Sequence, residues 1–132
     1  MSQDFLKGIL TTISAVFGYL FGKFDGLMYS LLAIICIDYI TGIICAIIKK
    51  ELSSEVGFKG ILKKVCILII VSVSSIIDFN LLSNSRVLYS SVIAFYLVNE
   101  SISILENVSL IGIPLPNKLK SILKQLNDKN SK

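Results

Sequence analysis

Residues 26–48 read GLMYSLLAIICIDYITGIICAII and contain one charged residue, Asp38, at the thirteenth of twenty-three positions. An α-helix of this length extends about 34 Å, which is enough to cross the roughly 30 Å hydrocarbon layer of a bilayer. A charged side chain at a helix centre opposes insertion by about 2.5–3.5 kcal/mol, whereas each Ile or Leu favours insertion by about 0.3–0.6 kcal/mol. The segment therefore predicts a transmembrane helix in which Asp38 faces protein or water rather than lipid.

Two further apolar segments follow, at residues 65–82 and 87–105. They are separated by the turn-rich stretch 80–86, NLLSNSR, which is typical of a tight hairpin. The sequence therefore predicts an all-α integral membrane protein that forms a single membrane domain over residues 1–132.

The N-terminal segment 5–22 is amphipathic and leaves two alternatives open. It is just long enough to cross the membrane as a fourth helix, with Ser14, Gly18 and Gly22 allowing close helix packing. It is equally suited to lie flat in the interface. A cleaved signal peptide is disfavoured, because Asp4 interrupts the basic start that such peptides carry and no A-x-A cleavage site follows.

The composition argues against a soluble enzyme. Of the 132 residues, 54% are hydrophobic and 17% charged, whereas soluble domains carry about a quarter charged residues. The chain has no histidine, which removes the usual acid–base group and a common metal ligand. We expect no catalytic, cofactor or metal site, and we expect Cys36, Cys45 and Cys66 to be small buried hydrophobic residues.

The lysines predict the topology. The 13 Lys and Arg residues exceed the 9 Asp and Glu residues, but the excess flanks apolar segments, which does not suggest a nucleic-acid surface. We interpret residues 49–64 as a basic cytoplasmic loop. Its topology residues are Lys49, Lys50, Lys59, Lys63 and Lys64.

The tail after Pro116 is basic as well, and two spans separate it from the loop, so we expect a multi-pass protein with a cytoplasmic C-terminus. Pro114 and Pro116 end the third span. Residues 117–127 then predict a short amphipathic cytoplasmic helix, whose apolar stripe consists of Leu119, Ile122, Leu123 and Leu126.

Each span carries one polar stripe. The candidates for a pore-lining or oligomerisation surface are Asp38, Thr41, Gly42, Ser72, Ser75, Asp78, Asn99, Glu100 and Ser103. We expect Asp78 to form a salt bridge with Arg86 across the hairpin, and Glu106 to meet Lys63 or Lys64. In the deduced orientation Asp38 is central, Asp78 outward and Glu100 inward, which argues against one shared ion site.

Three explanations of the stripes remain open at this point. In the first, the stripes hold together a monomeric bundle in which Asp38 is protonated. In the second, they form a solute path in a small carrier. In the third, they drive the association of many copies around a water-filled opening.

Four motifs occur together between residues 38 and 116. They are DYITG at 38–42, LSSEVGFKGI at 52–61 with Lys63 and Lys64, NESISILEN at 99–107, and GIPLP at 112–116. In their order and spacing, from about residue 38 to 119, the chain resembles the phage lysis and toxin-secretion holins, which include the holin-like proteins encoded beside large clostridial toxins.

The resemblance implies a small, non-enzymatic protein of the bacterial cytoplasmic membrane that accumulates, forms homo-oligomers and permeabilises the lipid bilayer. Endolysin or toxin would be the exported cargo, without a need for direct contact, and an antiholin would be a further partner. The alternatives are a small membrane transporter or channel subunit and a non-lytic regulator of the antiholin type.

Overall fold

A computed structural model describes residues 2–130 and contains five helices. They are α1 (Gln3–Phe21), α2 (Gly26–Ile48), α3 (Ser54–Leu81), α4 (Val87–Ile111) and α5 (Asn117–Asn130). No strand occurs within the described residues, so the predicted all-α class is confirmed. The side chain of Leu123, one of the predicted stripe residues of the last helix, lies outside the described part.

Short polar side chains begin three of the helices. Ser2 accepts a hydrogen bond from the backbone N–H of Phe5 at 3.3 Å, and Asp25 accepts one from Met28 at 3.0 Å. Ser53 accepts one from Val56 at 3.1 Å, so that α3 begins directly behind it. Each cap satisfies a backbone donor that the first helical turn leaves without a partner.

The cap at Ser53 corrects the predicted basic loop. Only residues 49–53 connect α2 to α3, while Lys59, Lys63 and Lys64 lie within α3. Helix α4 likewise extends to Ile111 rather than to residue 105. Hydropathy marks the apolar part of a helix, whereas the helix itself continues to the next cap.

Four of the helices, α1 to α4, are long and apolar enough to cross a membrane, and the protein is a multi-pass membrane protein. Most large apolar side chains point outward; Val73, Phe79 and Phe95, for example, are 40–60% exposed. This is the surface that lipid requires. Cys36 and Cys66 also lie on the exposed surface, contrary to the expectation that they are buried, whereas Cys45 is buried.

The helices α2, α3 and α4 form the bundle, in which α4 packs against both of the others. Its apolar core is small and consists of Phe21, Met28, Leu31, Ile35, Val71, Tyr89 and Ile93. Helix α1 joins this core through its last two residues, Leu20 and Phe21, and its residues 3–19 are exposed. Helix α5 packs on α4.

We call the end of the bundle that contains residues 22–25 and 82–86 the hairpin end. Here the predicted salt bridge between Asp78 and Arg86 is replaced by other contacts. The Asp78 carboxylate accepts hydrogen bonds from the backbone N–H groups of Leu88 at 3.1 Å and Tyr89 at 2.7 Å. In the first turn of α4, Ser85 Oγ accepts a hydrogen bond from the Val87 amide at 3.5 Å, and the next two amides bind the Asp78 carboxylate. Asp78 therefore pairs with these amides and not with Arg86.

The capping role of Asp78 can be tested by the substitution Asp78→Ala. The variant leaves two backbone donors without a partner, and we expect a loss of about 1–2 kcal/mol in the free energy of unfolding. Thermal unfolding in detergent, followed by circular dichroism, measures the change. Glu51→Ala, which removes a carboxylate from an exposed loop residue, is the matched control. Equal melting temperatures for the two variants would contradict the capping role.

Candidate functional site

Three charged side chains from three helices meet inside the bundle. Lys64 of α3 donates hydrogen bonds from Nζ to Asp38 Oδ2 of α2 and, at 2.5 Å, to Glu100 Oε2 of α4. Asp38 and Glu100 are buried, with 6% and 4% of their surface exposed, and the Lys64 side chain is 20% exposed. We refer to Asp38, Lys64 and Glu100 as the ion cluster.

Neutral polar side chains complete this site. Asn107 of α4 donates from Nδ2 to Asp38 Oδ1 at 3.1 Å and to Thr41 Oγ1 at 3.0 Å. The Thr41 hydroxyl donates to the backbone oxygen of Asp38 at 3.0 Å. Beside these groups lies a cleft of about 210 Å³, which Gly42 and Ser103 help to line. The site is therefore a hydrogen-bonded network that joins α2, α3 and α4.

The electrostatics of the ion cluster explain its arrangement. A buried carboxylate without a partner is strongly unfavourable, and a cation at hydrogen-bonding distance offsets much of this penalty. With both carboxylates ionised, the cluster carries a formal charge of −1. This arrangement can hold three helices in one register and can respond to an electric field. Among residues 2–130, no cluster of His, Cys, Asp and Glu is suited to hold a metal ion.

Two expectations about the charges are wrong. Asp38 and Glu100 do not lie at separate depths, because both contact Lys64. Glu106 does not pair with Lys63 or Lys64; it is exposed and lines a groove with Lys120 and Lys124. Both errors follow from assigning Lys64 to a loop, since in α3 it lies one helical turn deeper than Gly60, on the side that faces Asp38.

The structure brings five of the nine stripe candidates to this network: Asp38, Thr41, Gly42, Glu100 and Ser103. The other four lie elsewhere. Ser72 is buried and donates to the backbone of its own helix at Ile69, and Asn99 is exposed. Ser75 and Asp78 lie toward the hairpin end.

The small residues of α1 have separate environments. Ser14 is exposed, whereas Gly18 and Gly22 line a cavity beside Ser75 of α3. Gly22 also ends α1, and its backbone φ of 69° is one that residues other than glycine rarely adopt. Gly22 thus lies close to Arg86 and Ser75, whereas Gly18 borders open space and Ser14 is exposed, so close helix packing through all three residues stays a prediction.

Sequence reasoning missed the role of Lys64 and that of Arg86. Lys64 continues a spacing of four and three residues that runs through positions 64, 68, 71, 75 and 78, so extending the stripe of α3 toward its N-terminus would have included it. Arg86 donates from Nη1 to the backbone oxygen of Phe21 and from Nη2 to that of Lys23, both at 3.2 Å. No local sequence pattern predicts that contact, because more than sixty residues separate Arg86 from its partners.

Comparison with known proteins is consistent with this architecture. The chain matches the bacteriophage holin family over residues 15–128. It is 42% identical over 127 residues to a 14.9 kDa protein encoded in the nagH 3′ region of Clostridium perfringens, covering 96% of each chain. A protein of Listeria innocua is 47% identical over 118 residues, covering 89% of this chain and 84% of the relative.

A phage protein is among the relatives. The probable holin of Bacillus phage phi105 is 38% identical over 98 residues, which cover 74% of this chain and 71% of the phage protein. No solved structure matches the chain significantly. The family match covers most of the chain, including all four apolar helices in whole or in part. The chain is therefore a member of the bacteriophage holin family.

Proposed function

We propose that the protein acts as a holin, which accumulates in the cytoplasmic membrane, oligomerises and opens a lesion through which an endolysin or a toxin leaves the cytoplasm. Family membership and the similarity to a probable phage holin support the role. The ion cluster is the observation that carries the mechanism, because it gives the chain buried charges that water can solvate once the helices separate. The role requires no catalytic step.

In the resting state, each chain pairs its buried charges within its own bundle. Lys64 faces Asp38 and Glu100 inside one bundle, while the outer surface presents apolar side chains to lipid. Such a chain is harmless as a single molecule, because the charges inside its bundle already have partners. Contacts between membrane helices contribute only about 1 kcal/mol each, so crowding can exchange contacts within a chain for contacts between chains.

In the assembled state, we propose that the polar stripes of α2, α3 and α4 face water, with the apolar faces toward lipid. The ion cluster and the polar side chains hydrogen-bonded to it then line the opening, together with Ser72, Ser75 and Asp78 of α3. The excess charge of −1 at the ion cluster couples this change to the membrane potential. Moving one elementary charge across a potential of 100 mV changes the free energy by about 2.3 kcal/mol.

The proposed topology has four spans. The end of the bundle opposite the hairpin is basic. It carries Lys49 and Lys50, which follow α2, and the lysines of α5, which follow α4. The positive-inside rule assigns this end to the cytoplasm. Both ends of the chain are then cytoplasmic and the hairpin end faces outward. Endolysin or toxin passes as cargo without necessarily touching the protein, and an antiholin is a further partner.

The proposed function predicts release of a large cytoplasmic protein. Expression of the full chain in bacteria that also produce an endolysin without a secretion signal should cause abrupt lysis after a delay, measured as culture turbidity. Cells with the endolysin alone are the control. A carrier for a small solute, or a regulator of another holin, would leave those cells intact, and that result would overturn the proposal.

The ion cluster predicts a shift in the time of lysis. Lys64→Gln leaves two buried carboxylates without a cation, which disfavours the resting bundle by about 3–5 kcal/mol, and lysis should begin earlier than in the wild type. Replacing all three residues, as Asp38→Asn, Lys64→Gln and Glu100→Gln, removes the charge imbalance and should delay lysis relative to Lys64→Gln alone.

The adjacent substitution Lys63→Gln is the matched control, because it removes the same charge from an exposed position of the same helix. Immunoblots of isolated membranes ensure that the variants are compared at equal amounts. If Lys64→Gln and Lys63→Gln trigger lysis at the same time, the ion cluster does not hold the resting state.

The four-span topology is tested by cysteine labelling. In a chain whose three native cysteines are replaced by serine, Asn84→Cys should react with an impermeant maleimide added to intact cells, because residue 84 lies in the hairpin. Ser2→Cys should react only after the cells are opened, because α1 crosses the membrane. Labelling of both positions from outside would mean that α1 does not cross.

A further inference from the structure

A cavity of about 290 Å³ lies between α1 and α3 at the hairpin end. Its walls are glycines of α1, aromatic side chains of both helices and two cationic side chains from the turns, namely Gly18, Gly22, Tyr19, Phe79, Lys23 and Arg86. It is separate from the ion cluster, which shares none of its lining residues. We call it the α1–α3 cavity.

The glycines of α1 keep this cavity open. A Cβ at Gly18 would have no atom within 4 Å, so the wall there borders free space. A Cβ at Gly22 would overlap Nη1 of Arg86, so the guanidinium group lies directly over the glycine. The two positions thus provide room for a ligand and a close approach for a cation.

A serine hydroxyl group of α3 opens onto the cavity. Ser75 is 4% exposed, and its side chain forms no hydrogen bond with any described residue. Its neighbours Ser72 and Ser74 instead donate to carbonyl oxygens of their own helix, at Ile69 and Ile70. No buried side-chain oxygen or nitrogen among the described residues lacks a partner, so the Ser75 hydroxyl is open to the cavity, where it is free to bind a ligand.

The charges at the cavity sum to +1. Lys23 and Arg86 are cationic, and the nearest carboxylate is that of Asp25, whose Oδ2 lies 4.0 Å from Arg86 Nη2. A guanidinium group has five N–H donors, and Arg86 uses two of them on the carbonyls of Phe21 and Lys23. The remaining donors, the Lys23 ammonium and the Ser75 hydroxyl together fit an oxyanion with one negative charge.

We propose that the α1–α3 cavity binds the phosphodiester headgroup of one anionic phospholipid. A phosphodiester carries a single negative charge, which matches the excess at the site. The cavity borders the exposed aromatic rings of Tyr19 and Phe79, which are about 60% exposed on helices that span the membrane. Tyrosines near the ends of membrane helices are typical of the lipid headgroup layer, and the acyl chains would continue along the apolar surface.

The bound lipid would attach α1 to the bundle. Helix α1 contacts the rest of the protein mainly around this cavity, and its residues 3–19 are exposed. A phosphate between Lys23, Arg86 and Ser75 joins the α1–α2 turn to α3 and the hairpin. This inference holds whether or not the protein forms a lesion, so the two proposals can fail independently.

Native mass spectrometry of the full chain in detergent tests the proposal. Delipidated protein is titrated with phosphatidylglycerol, with phosphatidylcholine of equal chain length, and with inorganic phosphate. We expect one phosphatidylglycerol per chain, bound about tenfold more tightly than phosphatidylcholine, and no competition by inorganic phosphate at equal concentration. Equal affinity for both lipids, or displacement by inorganic phosphate, would overturn the proposal.

Two variants locate the site. Gly18→Leu fills the cavity with a residue that favours the helix, and Lys23→Gln removes one cation; each should weaken phosphatidylglycerol binding about tenfold. The controls Gly8→Leu and Lys7→Gln make the same changes elsewhere on α1, away from the cavity, and should bind like the wild type. Unchanged binding by Gly18→Leu and Lys23→Gln, or equal weakening by their controls, would place the lipid elsewhere and reject the site.

Discussion

The pairing of Lys64 with Asp38 and Glu100 is the constraint on which the bundle depends. Two buried carboxylates and one partly buried ammonium group lie on three different helices, and each is unfavourable unless it meets a partner. A shift of any one helix by a single turn, about 5.4 Å, would separate the charges. The pairing therefore fixes the relative heights and rotations of α2, α3 and α4, which the small apolar core would leave much less defined.

Polar contacts have this importance because the surrounding solvent is lipid. Burying an apolar side chain between helices gains little when lipid tails are equally apolar, so packing and hydrogen bonds decide which helices associate. At the hairpin end, Asp78 binds the first amides of α4, and Arg86 binds the carbonyls that end α1 and form the α1–α2 turn. Polar clusters at two levels thus hold the bundle, while the apolar surface adapts to the membrane.

The sequence predicts the parts of this arrangement that are local. Hydropathy locates α2, the apolar section of α3 and the hairpin, because each of them depends on a continuous run of residues. It misplaces Lys64, since a lysine beside an apolar run has the same local signature whether it flanks a span or lies inside the bundle. Only the cap at Ser53 and the continued spacing to Asp78 distinguish the two cases. The partner of Arg86 has no local signature, because it is the end of a helix more than sixty residues away.

The self-contained pairing of charges also bears on how many copies come together. A chain whose charges were unpaired would need neighbours from the moment of insertion, whereas this one satisfies Lys64, Asp38 and Glu100 within itself. Association must then compete with an existing internal arrangement, and it wins only at a concentration where contacts between chains outnumber those that are lost. In the proposed function, this exchange involves several helices at once and is cooperative, so a gradual rise in concentration produces an abrupt change of state. Under the proposed function, the cluster that stabilises the single chain therefore also sets the threshold for its assembly.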